Sequence, residues 1–180
     1  MKKTKLNIGC GTKTFKDYIN VDFVKGKDVD ICFNLNKLPW PFKSDSIEEI
    51  YADNILEHLD DFDKSLRECH RILKKGGILL IKVPYFSNPG AFTPDHKSFF
   101  NLDSLDIYCS NTPHTTNLKR PLFEMVYKKI TFLDEYKKSF FLKLWFFLPK
   151  MLYRISPVAY IWLFSYLFPA SEIHYKLKKI

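Results

Sequence analysis

No two of the four cysteines (Cys10, Cys32, Cys69, Cys109) form a CxxC pair, and their spacings suit no zinc site. They also lack the tight three-cysteine cluster of an iron–sulfur radical enzyme. The sequence therefore assigns no metal ligands. Long apolar runs are missing as well. The longest stretch without a charged residue is Ile155–Ser171, which Pro157 and Pro169 interrupt. A spanning helix needs about 20 apolar residues, so no full membrane span is expected. Met1-Lys2-Lys3 resembles the start of a signal peptide, but charges recur from Lys13 before any adequate apolar stretch. A reducing, cytoplasmic compartment is the expectation. The P-loop pattern G-x-x-x-x-G-K-S/T is absent. In the one G-x-G, the place of a dinucleotide site's third glycine is held by Thr14.

What is present is globular: 180 residues, 46% hydrophobic and 27% charged, the size of one domain. The formal charge of +8 is unevenly spread, at −1 over residues 1–60, +3 over 61–120 and +6 over 121–180. Eleven of the 30 aromatic residues fall between Phe140 and Phe168. A basic, aromatic C-terminal third suits a homodimer or packing face, or a surface resting on anionic lipid through 140–168. A nucleic-acid partner is a third, less favoured use of the charge.

Strand and helix patterns alternate. Leu6-Asn7-Ile8, Ile19–Asp22, Val29–Phe33 and Ile47–Tyr51 read as strands. Phe62, Leu66, Cys69 and Leu73 recur at helical spacing between Asp60 and Lys75, and Lys74-Lys75-Gly76-Gly77 reads as the helix stop. Ile78–Val83 is a nearly continuous apolar run, broken only by Lys82, as a strand buried on both faces should be. Phe123–Phe132 and Glu172–Lys179 are further strands, with the aromatic stretch between them. Strands alternating with helices predict an α/β fold with a parallel sheet.

Gly9-Cys10-Gly11 follows the first strand, where glycines allow a sharp turn and bring backbone N–H groups close to a ligand. Asp22 ends the second strand, where a carboxylate can accept both hydroxyls of a ribose. A single nucleoside without pyrophosphate fits best.

The blocks LNIGCGT, YINVD, LNKLPWPFKSDSIEEIYADNILEHL and RILKKGGILLIKVP, in this order, resemble class I S-adenosylmethionine-dependent methyltransferases over about residues 5–106. The resemblance implies a Rossmann-like three-layer sandwich, mostly parallel, with an antiparallel C-terminal hairpin. It implies one domain over 1–180, with a cofactor half at 1–84, a substrate or lid region at 85–122 and an aromatic helical insertion at 137–169. It also implies S-adenosyl-L-methionine as cofactor. Gly9, Cys10 and Gly11 would line its methionine part, Asp22 would hold the ribose, Asn34 and Leu35 would flank the adenine, and Asn54 would face the sulfonium. Lys13 replaces the usual third glycine, Asn7 an acid of the first strand, and Asn34 an adenine-contacting Asp.

The Asn/Asp-Pro-Pro-aromatic motif of amine and nucleobase N-methyltransferases is replaced by Ala52-Asp53-Asn54-Ile55, and no Pro-Cys nucleophile is present. Transfer to an oxygen is the default, and it needs a base. His96, beside Asp95 in the loop after the fifth strand, and His58 are the candidates. Resembling small enzymes accompany cell-surface glycan assembly, which implies a glycan or other small-molecule acceptor and a place at the inner face of the membrane. A catalytically silent scaffold that binds a membrane or protein partner is the second reading, and an RNA methyltransferase the third.

Overall fold

A computed structural model describes residues 3–113, 121–135 and 139–180. Residues 114–120 of the expected lid region and 137–138 of the expected insertion lie outside the described residues. Seven strands form one sheet: β1 (Lys5–Ile8), β2 (Tyr18–Asp22), β3 (Ile31–Cys32), β4 (Ile47–Asp53), β5 (Leu73–Pro84), β6 (Phe123–Thr131) and β7 (Glu172–Lys179). Their order is β3-β2-β1-β4-β5-β7-β6. The first five pair in parallel, and β7 runs antiparallel to both β5 and β6. This is the Rossmann-like, mostly parallel sheet with antiparallel C-terminal strands that the resemblance implies. The order reverses between β1 and β4, and the ligand site of such a sheet lies at the carboxyl ends of those two strands.

Register explains which sheet face holds the core. Leu6 pairs with Ile19 and Ile50, and Ile8 with Val21 and Ala52, so these rows share one face. Leu6, Ile8, Val21, Ile50 and Ala52 are all fully buried there. The alternate row is polar. Asn7 pairs with Asn20 and with Tyr51, and among the described residues no helix joins β1 to β2, β2 to β3 or β3 to β4.

One long helix, α1 (Phe62–Ile72), joins β4 to β5. Asp61 caps it by accepting from the Lys64 backbone N–H at 2.9 Å. Leu66 and Cys69 of the predicted face are buried, Phe62 is half-buried, Ile72 adds a further buried residue, and Leu73 falls in β5. The expected stop at Gly76-Gly77 is corrected: the helix ends at Ile72, and β5 already begins at Leu73. The pairing of β4 with β5 slips between Leu73 and Ile78, and Gly76, at φ +75°, occupies this irregular stretch. Two glycines can end a helix or bend a strand, and strand pairing takes them here. The predicted third strand, Val29–Phe33, is reduced to Ile31–Cys32.

α1 also anchors the loop that precedes β4. Glu68, buried on α1, accepts from the Trp40 backbone N–H at 2.6 Å and from Arg71 at 2.6 and 2.9 Å. The Trp40 indole donates to the Leu35 carbonyl at 2.9 Å, and Arg71 donates to the Trp40 carbonyl at 3.2 Å. Residues 34–40 are thus fixed against the helix by one satisfied polar network.

Between β6 and β7 the chain forms α2 (Phe140–Ile155) and α3 (Pro157–Ala159), continued by a π-helical turn, Tyr160–Phe164. Connectivity places these helices at the sheet end where β5 finishes and β7 begins. Phe146 and Tyr160 are buried, and their rings lie 5.7 and 5.5 Å from that of Phe132. Most of the aromatic surface stays outside. Phe141, Trp162 and Tyr166 are each 80% exposed, with Phe140, Trp145 and Phe147 exposed beside them. Among the described residues no helix is long and apolar enough to cross a membrane.

Candidate active site

A cleft of about 280 Å³ opens at the carboxyl ends of β1, β2 and β4, lined by Gly9, Asp22, Phe23, Asn34, Leu35, Asn36, Ile55, His58 and Leu59. Gly9 has φ +61°, and a Cβ there would lie 2.3 Å from Ile55 Cγ1. Only glycine lets the first turn press against the loop after β4. Asp22 holds the adjoining turns. One carboxylate oxygen accepts from the Gly11 N–H at 2.8 Å, and the other from the Val24 N–H at 2.9 Å. Each oxygen keeps a second lone pair for an outside donor.

Two of the departures, Asn7 in β1 and Lys13 in the loop after it, have structural roles. Asn7, buried, donates to the Lys13 carbonyl at 2.8 Å and to Asn20 at 3.0 Å, and Asn20 in turn exchanges hydrogen bonds with the Phe15 backbone. An amide can donate to a carbonyl where a carboxylate cannot, so Asn7 clamps the loop from behind. Lys13 turns away from the cleft to meet Asp53 at 2.5 Å and the Tyr51 hydroxyl at 2.8 Å. Against the desolvation that opposes its charge, these hydrogen bonds raise its pKa above the ordinary lysine value.

Of the residues proposed from sequence for the cofactor, Gly9, Asp22, Asn34 and Leu35 line this one cleft. Cys10 is buried and does not line the cleft, with its thiol pKa pushed up by burial and then by Asp22. Gly11 is exposed and serves through its N–H on Asp22. Asn54 lies outside the cleft: exposed, at φ +51°, it donates to Asp53 at 3.1 Å and to Glu172 at 3.3 Å. The sequence reading omitted Phe23, Asn36, Ile55 and Leu59. Phe23, 69% exposed on the cleft rim directly after Asp22, offers an aromatic face suited to a purine. Asn36 accepts from the Asp60 N–H at 3.0 Å and ties the Asn34–Asn36 loop to the residues just before α1.

His58 and His96 come together although 38 positions separate them. Their rings are 4.6 Å apart, edge to face. His96 Nδ1 lies 2.9 Å from the Ala91 carbonyl, and His58 Nδ1 lies 3.1 Å from an Asp95 carboxylate oxygen. The loop of His96 is fastened to the β4–α1 connection that carries His58, because the Lys97 and Ser98 N–H groups both donate to the Glu57 carbonyl, at 2.7 and 3.2 Å. The Asp95 carboxyl is held below its ordinary range by hydrogen bonds from the Thr93 side chain and its own backbone. Glu57 is 1% exposed in a 3₁₀ turn, Leu56–His58. Neither of its carboxylate oxygens has a hydrogen-bond partner. Burial, with Asp53 next among the causes that raise it, pushes its pKa up to about 7.

Residues 6–81 match a family model described as a methyltransferase domain. The matched segment, 76 of the 180 residues from β1 into β5, is a methyltransferase domain by that model. No curated protein matches the sequence. Among solved structures, a S-adenosylmethionine-dependent methyltransferase from Archaeoglobus fulgidus is similar at 18% identity and a TM-score of 0.63, over 97% of this chain and 85% of that one. One from Mesorhizobium loti is similar at 15% identity and a TM-score of 0.54, over 99% and 94%. The cyclase SpnF also aligns, at 15% identity and a TM-score of 0.56, over 97% and 73%. At these identities the likeness is one of fold, and a fold shared with a cyclase leaves the acceptor to the site. The methyltransferase's cofactor is S-adenosylmethionine, and the cleft fits it. Asp22 puts a carboxylate on the cleft that would accept from ribose hydroxyls, the Asn34–Asn36 loop and Phe23 form a wall that would border a flat base, and Gly9 would leave room for backbone contact.

Proposed function

We propose that this methyltransferase transfers its methyl group to an oxygen of a saccharide or other small molecule, activated at His58 and His96. The observation that carries the reading is the histidine pair itself, since His58 is at once a wall of the Asp22–Gly9 cleft and the neighbour of His96. S-adenosylmethionine supplies an electrophilic methyl group on a sulfonium. The chain must hold an acceptor hydroxyl in line and relieve it of its proton. His96 is built for this duty: with Nδ1 donating to the Ala91 carbonyl, its Nε2 carries the lone pair. The absence of the Asn/Asp-Pro-Pro-aromatic motif supports an oxygen over an amine. His96→Ala is expected to leave cofactor affinity within about twofold and to lower turnover by about 100-fold or more. Parallel cofactor titration and single-turnover assays check this division. Equal loss of both would contradict it.

The acceptor side faces a membrane in this reading. From Ser139 to Ser171 the only charged residues are Lys143, Lys150 and Arg154, all cationic, among exposed Phe, Trp and Tyr side chains. That combination suits an anionic lipid surface, such as a cytoplasmic leaflet, better than a second copy of the same cationic face. The protein is expected to sediment with phosphatidylserine vesicles at low salt. Trp145→Ser, Trp162→Ser and Tyr166→Ser together should lower the bound fraction by about 10-fold or more. Retention by that triple variant, or a dimer in place of vesicle binding, would overturn the membrane assignment.

A further inference from the structure

We infer that Glu57, His58 and His96 form a site for one divalent first-row transition ion beside the cofactor cleft. A carboxylate oxygen of Glu57 and one ring nitrogen of each histidine lie within 4.8 Å of one another. The cysteine spacing gave no metal site, and these three residues come from two loops that are 38 positions apart in sequence.

Two independent features make this more than a cluster of ligand-type residues. The first is Glu57, a carboxylate 1% exposed with neither oxygen hydrogen-bonded. A buried acid without partners is costly, and a cation is one of the few partners that answers both of its oxygens. The second is what surrounds the histidines. His58 Nδ1 faces the Asp95 carboxylate, and His96 Nδ1 faces the Ala91 carbonyl. Carboxylate and carbonyl acceptors behind metal-bound imidazoles fix the tautomer that leaves Nε2 with the lone pair. The Lys97 and Ser98 N–H bonds to the Glu57 carbonyl hold the two loops together as one unit.

Two imidazoles and one carboxylate suit zinc or ferrous iron rather than magnesium or calcium, and leave coordination positions open. Ligand atoms around such an ion stand about 3.4 Å apart for bonds of ~2.1 Å. Binding therefore draws the three side chains inward.

In its chemical use, though not in its binding, this inference rests on the oxygen-acceptor reading. A hydroxyl entering an open position would become more acidic; its O–H bond breaks, the electron pair stays on oxygen and the proton passes to solvent water. The ion then takes the place of direct proton transfer to His96 in activating the acceptor.

The test is binding of the metal alone. Chelator-stripped full-length protein is titrated with Zn²⁺ by calorimetry and with Co²⁺ by visible absorption, and S-adenosylmethionine affinity is measured on the same preparation. One equivalent per chain is expected. His96→Ala and Glu57→Gln should each weaken it by about 100-fold or more, and Asp95→Ala, whose side chain is 68% exposed and has little part in folding, by about 10-fold or more. Retained cofactor affinity in these variants shows an intact fold. No binding by folded wild type, or binding unchanged in all three variants, overturns the site. Metal binding without cofactor binding would instead count against the methyltransferase reading and leave the ion site standing.

Discussion

Gly9→Ala is expected to cost about 3 kcal/mol of stability and to close the cofactor cleft. Two penalties combine. A left-handed backbone costs a non-glycine residue about 1–2 kcal/mol, and the new methyl would meet Ile55 at 2.3 Å, an overpacking worth about 1–3 kcal/mol. In a chain of this length the thermal midpoint should fall by about 10 °C. Gly11→Ala is the control. Gly11 also has positive φ, but a Cβ there meets nothing within 4 Å, so only the backbone cost of about 1 kcal/mol applies. Ile55→Ala in the Gly9→Ala background should return the part due to the clash, and a double-mutant cycle of melting midpoints measures it. Equal effects at Gly9 and Gly11 would show that the two loops do not press together.

Asp22→Ala is expected to weaken S-adenosylmethionine binding by about 100-fold or more, with the fold retained. Its carboxylate receives two backbone N–H groups in the free protein and stands at the end of β2 on the cleft. Losing charge-assisted hydrogen bonds to two ribose hydroxyls removes about 1.5–3 kcal/mol each. The turns that start at Gly11 and Val24 lose their anchor as well. Asp22→Asn keeps one oxygen and should fall between wild type and the alanine variant. Calorimetric titration reads both, with melting midpoints separating a collapsed cleft from a missing contact.

The parts of this protein legible in its sequence are those in which local pattern and tertiary position agree. β1, β2, β4, α1 and β7 each carry a clear period, and Gly9 with Asp22 follows from the strand–turn–strand pattern alone. Gly76-Gly77 misled because glycine reports a backbone conformation and not the element that uses it. Asn7 and Lys13 look like weakened cofactor contacts in sequence, and only their hydrogen bonds to the loop and to Asp53 show them as its supports. Phe23 adjoins a recognised residue and could have been found as an apolar side chain beside a binding acid. Ile55, Asn36 and the Glu57–His58–His96 grouping could not, because each depends on loops distant in sequence being brought together. The exposure of Phe141, Trp162 and Tyr166 is likewise a tertiary fact. Composition located the aromatic segment, and only packing against Phe132 decides which rings turn inward.

The most direct test of the central claim is titration of S-adenosylmethionine into the purified wild-type protein. One site per chain with micromolar affinity, greatly weakened in Asp22→Ala, is the predicted result. No heat and no shift in melting midpoint from well-folded wild-type protein would contradict it.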